Sequence, residues 1–229
     1  MESASALMQD IAAAISPAAI IEHGGGADAV ARDEMLLREM LAPTAPDQVV
    51  RLWVNDSCLV TTRRLATHPL FEQACAISEA AGWPVHVRAS GGSTVVHRPG
   101  VLNVSLLYRT TQGPLRIEDY YAPLTRRLIA ALWTLGVRAE TGKRDGSYCD
   151  GAFNILAGNR KIAGTSCRIV RSGGTLAVLA HAVLWVDGDV ARDIAAIARF
   201  EAALGLKPDY DLAGHATVQN VLQSSPALV

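Results

Sequence analysis

The chain has 229 residues, half of them apolar and 19% charged, with a formal net charge of −1. That length suits one domain with a core of its own, and the composition excludes a disordered chain. The near-neutral balance supplies no electrostatic pull towards nucleic acid or an anionic membrane, so neither is expected as a partner.

Met1-Glu2-Ser3 lacks the basic opening of a secretory signal, and the apolar run at 11–15 is too short to span a bilayer. The protein is expected in the cytoplasm. Residues 1–27 are expected as an N-terminal extension, partly ordered, ending in the flexible Gly24-Gly25-Gly26. One domain over 28–229 follows. Its first helix is predicted from near Asp28 to just before Pro43, with Val30, Met35, Leu36, Leu37 and Met40 as apolar positions. Strands are predicted over 49–54 and 58–62 around the turn residues Asn55-Asp56-Ser57, then a helix over 69–81. Strand-like runs follow at 84–88, 94–97 and 101–107, the last two separated by Pro99-Gly100. A long amphipathic helix is predicted over 117–135, with Pro123 a candidate for its first turn. Strands return through Ile155 and Ile169 and across 176–186; a helix over 190–204 and a shorter one after Gly214 close the chain. The strands lie too close together for a uniform βαβ repeat. The fold class is therefore α+β: a mixed, largely antiparallel β-sheet flanked by helices in a single domain.

The four cysteines, Cys58, Cys75, Cys149 and Cys167, contain no CxxC pair, which argues against a zinc site or a disulfide framework. The six histidines form no HxxxH or HExxH pattern, so no metal site is expected. Without a GxSxG elbow, no Ser-His-Asp order is proposed.

Chemistry concentrates in two segments. Gly146-Ser147-Tyr148-Cys149-Asp150-Gly151 sets one cysteine twelve positions before Lys161, among loop-forming glycines. A thiolate is the nucleophile in cysteine chemistry, and a nearby ammonium favours it. Taken alone, Cys149 reads equally as a small core residue and Lys161 as a solvated one; their conjunction points to acyl transfer. Cys167, six positions past Lys161, falls on the same face of a regular strand and is a rival nucleophile. In the second segment, Arg88-Ala89-Ser90-Gly91-Gly92-Ser93-Thr94, the glycines permit close backbone approach, and their amides are candidates to hold a developing oxyanion. An ordinary tight hairpin is the other reading.

With Gly100-Val101-Leu102-Asn103-Val104-Ser105-Leu106 and Arg160-Lys161-Ile162-Ala163-Gly164, these segments resemble the lipoate/biotin protein ligase superfamily, in its cysteine-dependent octanoyl/lipoyl transferase branch. The likeness runs from about residue 33 to about 187. It implies a mixed sheet flanked by helices and a cytoplasmic acyltransferase working through an acyl-thioester on Cys149. Lys161 would lower the thiol pKa and help hold the acyl carbonyl. The resemblance also implies substrate-binding roles for Arg88, Gly91, Gly92, Ser93, His97, Asn103 and Gly164. Val95, Leu102 and Val104 are expected to form a slot for the acyl chain. Asn154 stands where an acidic residue is expected after the cysteine loop.

The implied donor is an acyl-carrier protein or the glycine-cleavage H protein, the acceptor a lipoyl domain of a 2-oxoacid dehydrogenase, and no cofactor is required. A competing reading is an ATP-dependent lipoate-protein ligase, needing ATP and Mg, with Lys161 at an acyl-adenylate. A third is a non-catalytic acyl-binding protein.

Overall fold

The computed structural model describes residues 2–111 and 116–224, so 225–229 of the expected domain lie outside the described residues. Seven strands form the main sheet in the order β1-β2-β6-β10-β9-β8-β7: β1 is Ile21–His23, β2 Gln48–Val54, β6 Val101–Thr110, β7 Ala139–Gly142, β8 Asn154–Ala157, β9 Arg160–Ser172 and β10 Thr175–Trp185. Only β1 and β2 run parallel; every other pair is antiparallel. The long β9–β10 hairpin turns through Gly173-Gly174, both at positive φ, as a two-residue primed turn demands. A second sheet of three strands has the order β4-β3-β5, with β3 at Cys58–Thr62, β4 at Val85–Arg88 and β5 at Val95–His97. The mixed, largely antiparallel α+β expectation agrees with this arrangement.

Alternation along the strands divides the core between the two faces of the main sheet. Leu102, Val104 and Leu106 of β6, with Ala180, Ala182 and Leu184 of β10, belong to a cluster that also takes in helices α1 (Glu2–Ile15) and α5 (Ile117–Thr134). Val101, Val183 and Trp185 belong to the opposite cluster, with Trp53, the small sheet, α2 (Gly26–Glu39), α4 (Phe71–Ala80) and α6 (Val190–Ala203). The short α3 (Arg63–Ala66) follows β3, and α7 (Val218–Ser224) comes last.

The first 23 residues do more than a partly ordered extension would. Met8, Ile11, Ala12 and Ile15 fall at helical spacing on one buried stripe of α1, and β1 extends the sheet edge. Burying Ile11 alone contributes about 2 kcal/mol. Helix α5 starts six residues before Pro123, with Asp119 accepting from the Arg116 amide at 3.1 Å, so the proline sits in its second turn.

Two connections carry the functional groups. The loop from Arg88 to Val95 joins strands that flank β3 on opposite sides, so it must cross the end of β3. That excludes the tight hairpin. The second loop, from β7 to β8, carries Cys149.

Candidate active site

Cys149 is the one non-glycine among the described residues with positive φ, at 48°. A left-handed conformation costs a non-glycine residue roughly 1–3 kcal/mol and persists only where its surroundings over-determine it. Here they do. Lys161 Nζ donates to the Tyr148 carbonyl at 2.5 Å and to the Cys149 carbonyl at 2.9 Å, and Asn154 Nδ2 donates to the same Cys149 carbonyl at 2.9 Å. Lys161 itself has no exposed surface. Burial lowers its pKa to about 8, with Cys149 and Asp150 pushing it back up, so it remains largely an ammonium at neutral pH. A bulge between β8 and β9 sets Lys161 opposite Leu156.

Asn154 stands where an acidic side chain was expected, and its bonding gives the reason for an amide. Nδ2 donates to Cys149 while Oδ1 accepts from the Thr165 amide at 2.9 Å. A carboxylate has no donor for the first contact. Asn154→Asp is therefore expected to keep the Thr165 bond, release the cysteine loop and slow any reaction at the Cys149 sulfur about 100-fold, as misplaced reacting groups do. Single-turnover kinetics would check this.

The glycine loop meets the sulfur from the other side. The Ser93 amide donates to Cys149 Sγ at 3.3 Å. Arg88, fully engaged with backbone, pins this loop: Nη1 donates to the Val60 carbonyl at 2.7 Å, and Nη2 to those of Gly91 and Ser93 at 2.9 and 2.7 Å. Ser166 Oγ donates to the Gly91 carbonyl at 3.1 Å and Arg168 Nη1 to that of Ala89 at 2.7 Å. Gly92 has φ 102°, and a Cβ there would lie 2.9 Å from Cys149 Sγ.

A largely apolar pocket of about 260 Å³, partly open to solvent, is lined by Val30, Trp53, Val60, Val87, Val95, Leu179 and Val183 together with Cys149 and Gly164, and by the charged Glu34, Arg63 and Arg168. A Cβ at Gly164 would stand 3.6 Å from Lys161 Cε and Nζ, an ordinary contact that does not demand glycine. Arg88 and His97 also line the pocket. His97 is buried edge-on to Trp53, ring centroids 5.1 Å apart, and burial keeps it neutral by lowering its pKa well below the ordinary value.

Three expectations need correction. Leu102 and Val104 belong to the core on the opposite face of the sheet, because only the alternate residues of β6 face this side. Asn103 lies behind the cavity wall, where Nδ2 donates to the Trp53 carbonyl at 3.2 Å.

The cavity also has a polar wall that no local motif announces. Ser90 Oγ lies 2.8 Å from His181 Nε2, and His181 Nδ1 lies 3.8 Å from Asp33 Oδ2. Asp33 accepts from Ser105 Oγ at 2.7 Å and pairs with Arg51 at 2.8 Å. Burial lowers His181 to about 3. The Ser-His-Asp order resembles a triad on paper, but 3.8 Å is too long for the orienting hydrogen bond a triad needs.

On its other side Cys149 faces an open cleft of about 450 Å³, shared with Gly91, Gly92, Ser93, Tyr121, Asp150, Cys167 and Tyr210. Gly91, Gly92 and Ser93 thus belong to the cleft and not to the apolar pocket. Cys167 is a poor rival: burial raises its thiol to about 12, and it lines the cleft only. All four cysteines are free thiols. Among the described residues no group of three or more His, Cys, Asp and Glu is placed to hold a metal ion, and no helix is long and apolar enough to cross a membrane.

Residues 26–223 match the family described as Lipoyl protein ligase A/B catalytic domain. The chain belongs to that family. Among its relatives, an Octanoyl-[GcvH]:protein N-octanoyltransferase of Kyrpidia tusciae is 40% identical over 70% of this chain and 57% of its own length. One from Geobacillus kaustophilus is 36% identical over 67% of this chain and 53% of its own length. The match thus spans little more than half of either relative. Among solved structures, lipoate-protein ligase A bound with ATP superposes with a TM-score of 0.70 over 90% of this chain and 77% of that one. At 20% identity that likeness shows the shared ligase fold and leaves chemistry to the residues.

Proposed function

We propose that this family member is a protein acyltransferase that moves an octanoyl or lipoyl group from a carrier to a lysine of a lipoyl domain. The observation that carries the reading is the position of Cys149 in the lining of both a largely apolar pocket and a more open cleft. The cavity suits an acyl chain, each buried CH₂ contributing about 0.8 kcal/mol. The cleft suits two protein-borne amines arriving in turn. The octanoyl-[GcvH] donor in the names of the relatives above supports the glycine-cleavage H protein as carrier.

In the first step the Cys149 thiolate attacks the acyl carbonyl, the new C–S bond replaces the bond to the carrier, and the leaving group takes a proton. In the second, the neutral ε-amine of the acceptor lysine attacks the thioester, the C–S bond breaks, and the amine proton passes to restore the thiol. Splitting the transfer this way divides one hard step into two easier ones. Lys161 contributes its charge and its hold on the Tyr148 and Cys149 carbonyls, and the Ser93 amide is the nearest backbone donor for a developing oxyanion. The free thiols suit a reducing cytoplasm.

An ATP-dependent reading needs cations at the phosphates. The open cleft is lined by no lysine or arginine, and Lys161 is already spent on two carbonyls. The neighbouring cavity is lined by Arg63, Arg88 and Arg168, but Arg88 and Arg168 hold backbone carbonyls, and Arg63 and Arg168 also meet Glu34. The lining of the open cleft suits a neutral carbonyl and an amine, and no step is routed through a nucleotide. The test is transfer to a lipoyl domain from octanoylated H protein without ATP. Turnover is expected there. Activity appearing only with free octanoate, ATP and Mg²⁺ would identify a ligase, and saturable binding with no transfer at all a binding protein.

A further inference from the structure

The stretch from Tyr210 to Ala216 lies outside the motifs above, yet it is tied to the nucleophile loop at both ends. The Asp211 amide donates to the Gly146 carbonyl at 2.9 Å, and Arg144 Nη2 holds the Asp211 carboxylate at 2.5 Å. Further on, His215 forms a β-bridge with Lys161, and the Ala216 amide donates to the Lys161 carbonyl at 3.0 Å. The segment thus grips the chain three residues before Cys149 and again at the lysine.

Between those grips sits Tyr148, with a ring only 1% exposed. The His215 imidazole stacks on it, centroids 5.5 Å apart and planes 9° from parallel. Trp185 and Tyr210 meet it edge-on at 5.1 and 6.3 Å, and the Lys161 ammonium lies 4.4 Å from its centroid. Tyr148 precedes Cys149, and its carbonyl takes one of the two Lys161 hydrogen bonds. Any tilt of the ring therefore moves the peptide that fixes both the cysteine and the lysine.

We infer that His215 and Tyr210 are positioning residues for the transfer: they seat the Tyr148 ring, and through it hold the Cys149 peptide and the Lys161 ammonium in register. Neither touches the reacting atoms in this account. The chemistry suits His215 to the role. Its Nδ1 lies 2.8 Å from the Asp211 carbonyl, which can only accept, so Nδ1 carries the proton. Burial and the nearby Lys161 charge lower its pKa to about 4, so the stacked ring is a neutral imidazole that does not repel the ammonium. Tyr210 is fixed in turn by donating its hydroxyl to the buried Glu201 carboxylate. Aromatic contacts of this kind contribute roughly 0.5–1.5 kcal/mol each beyond the area they bury, enough to choose between two loop conformations.

This inference rests on Cys149 being the nucleophile, and its test separates the two. The rate of Cys149 alkylation by iodoacetamide is measured against pH on the full chain, with the modified peptide identified by mass. Cys149 of the wild type is expected to be alkylated; a Cys149 that resists iodoacetamide in the folded chain would instead count against it as nucleophile. His215→Ala is expected to slow alkylation at pH 7 roughly tenfold, whereas His215→Phe, which keeps a flat ring, returns it towards wild type. Tyr210→Leu removes an edge contact at a half-buried site and covers the case in which His215→Ala does not fold; it is expected to slow alkylation in the same way by a smaller amount. A wild-type profile in folded His215→Ala or Tyr210→Leu, with only the melting temperature lowered, would overturn the inference. So would a His215→Phe profile no faster than that of His215→Ala.

Discussion

Lys161→Met is expected to slow formation of the acyl-enzyme by about 100- to 1,000-fold, the range seen when a preorganised polar donor is removed from a reacting centre. Methionine fills much the same space but offers neither a charge nor a donor. The Tyr148 and Cys149 carbonyls then lose a partner, and only Asn154 still holds the carbonyl of the left-handed Cys149. The same variant has a signature in stability that loop geometry alone does not produce. Lys161 titrates near 10.5 in the unfolded chain and near 8 in the fold, because burial disfavours the ammonium. Between those values the unfolded chain binds more protons, so this residue makes stability rise with pH across the window. The penalty is present in full below about pH 8 and gone above about 10.5, and is worth roughly 3 kcal/mol. Lys161→Met carries no such penalty. The stability of wild type relative to the variant should therefore improve by about that amount from pH 7 to 10.5, read by denaturant titration at several pH values. A flat difference would mean that the amine is not buried as an ammonium.

Gly92→Ala should be nearly as damaging to catalysis, for a steric reason. The position has φ 102°, which an L side chain rarely adopts, and the added methyl would lie 2.9 Å from Cys149 Sγ and 3.0 Å from Arg88 Nη2. Arg88 cannot yield without breaking its bonds to Val60, Gly91 and Ser93, so the sulfur or the loop must move. Displacement of a nucleophile by about 1 Å costs on the order of 100-fold in rate. Acyl-enzyme formation in Gly92→Ala should fall by that factor. In Gly91→Ala it should stay near wild type, because a Cβ at Gly91 meets nothing within 4 Å. Equal losses in both variants would show that loop flexibility, and not the contact with sulfur, is what matters.

Much of the frame was legible in the chain because the responsible signals are local. The apolar run 101–107 after Pro99-Gly100 and the apolar stripe of α5 each announce an element within one window. The first helix and strand were harder: an alanine-rich stretch followed by three glycines looks detachable until β1 is seen paired to β2. Strand β7 escaped because it is short and partly polar, Ala139-Glu140-Thr141-Gly142, with no buried residue to set a pattern. At the site, Cys149 and Lys161 stood out by spacing and by resemblance. Arg88, Ser90, Gly92 and Ser93 fell within the glycine-loop segment, but the groups that meet them from elsewhere in the chain carry no local mark. Asp33, Ser90 and His181 converge from α2, the β4–β5 loop and β10, and Asn154 showed only as a departure from an expected carboxylate. Alternation also bears on the acyl slot, since one step along β6 sends Leu102 and Val104 to the far side of the sheet.

The reading turns on whether a carbon–sulfur bond forms at position 149. Intact-mass measurement after incubation with octanoylated H protein should find wild type and Cys167→Ser heavier by one octanoyl group, released by hydroxylamine, and Cys149→Ser without any such label. An adduct that survives in Cys149→Ser and disappears in Cys167→Ser would contradict the account outright.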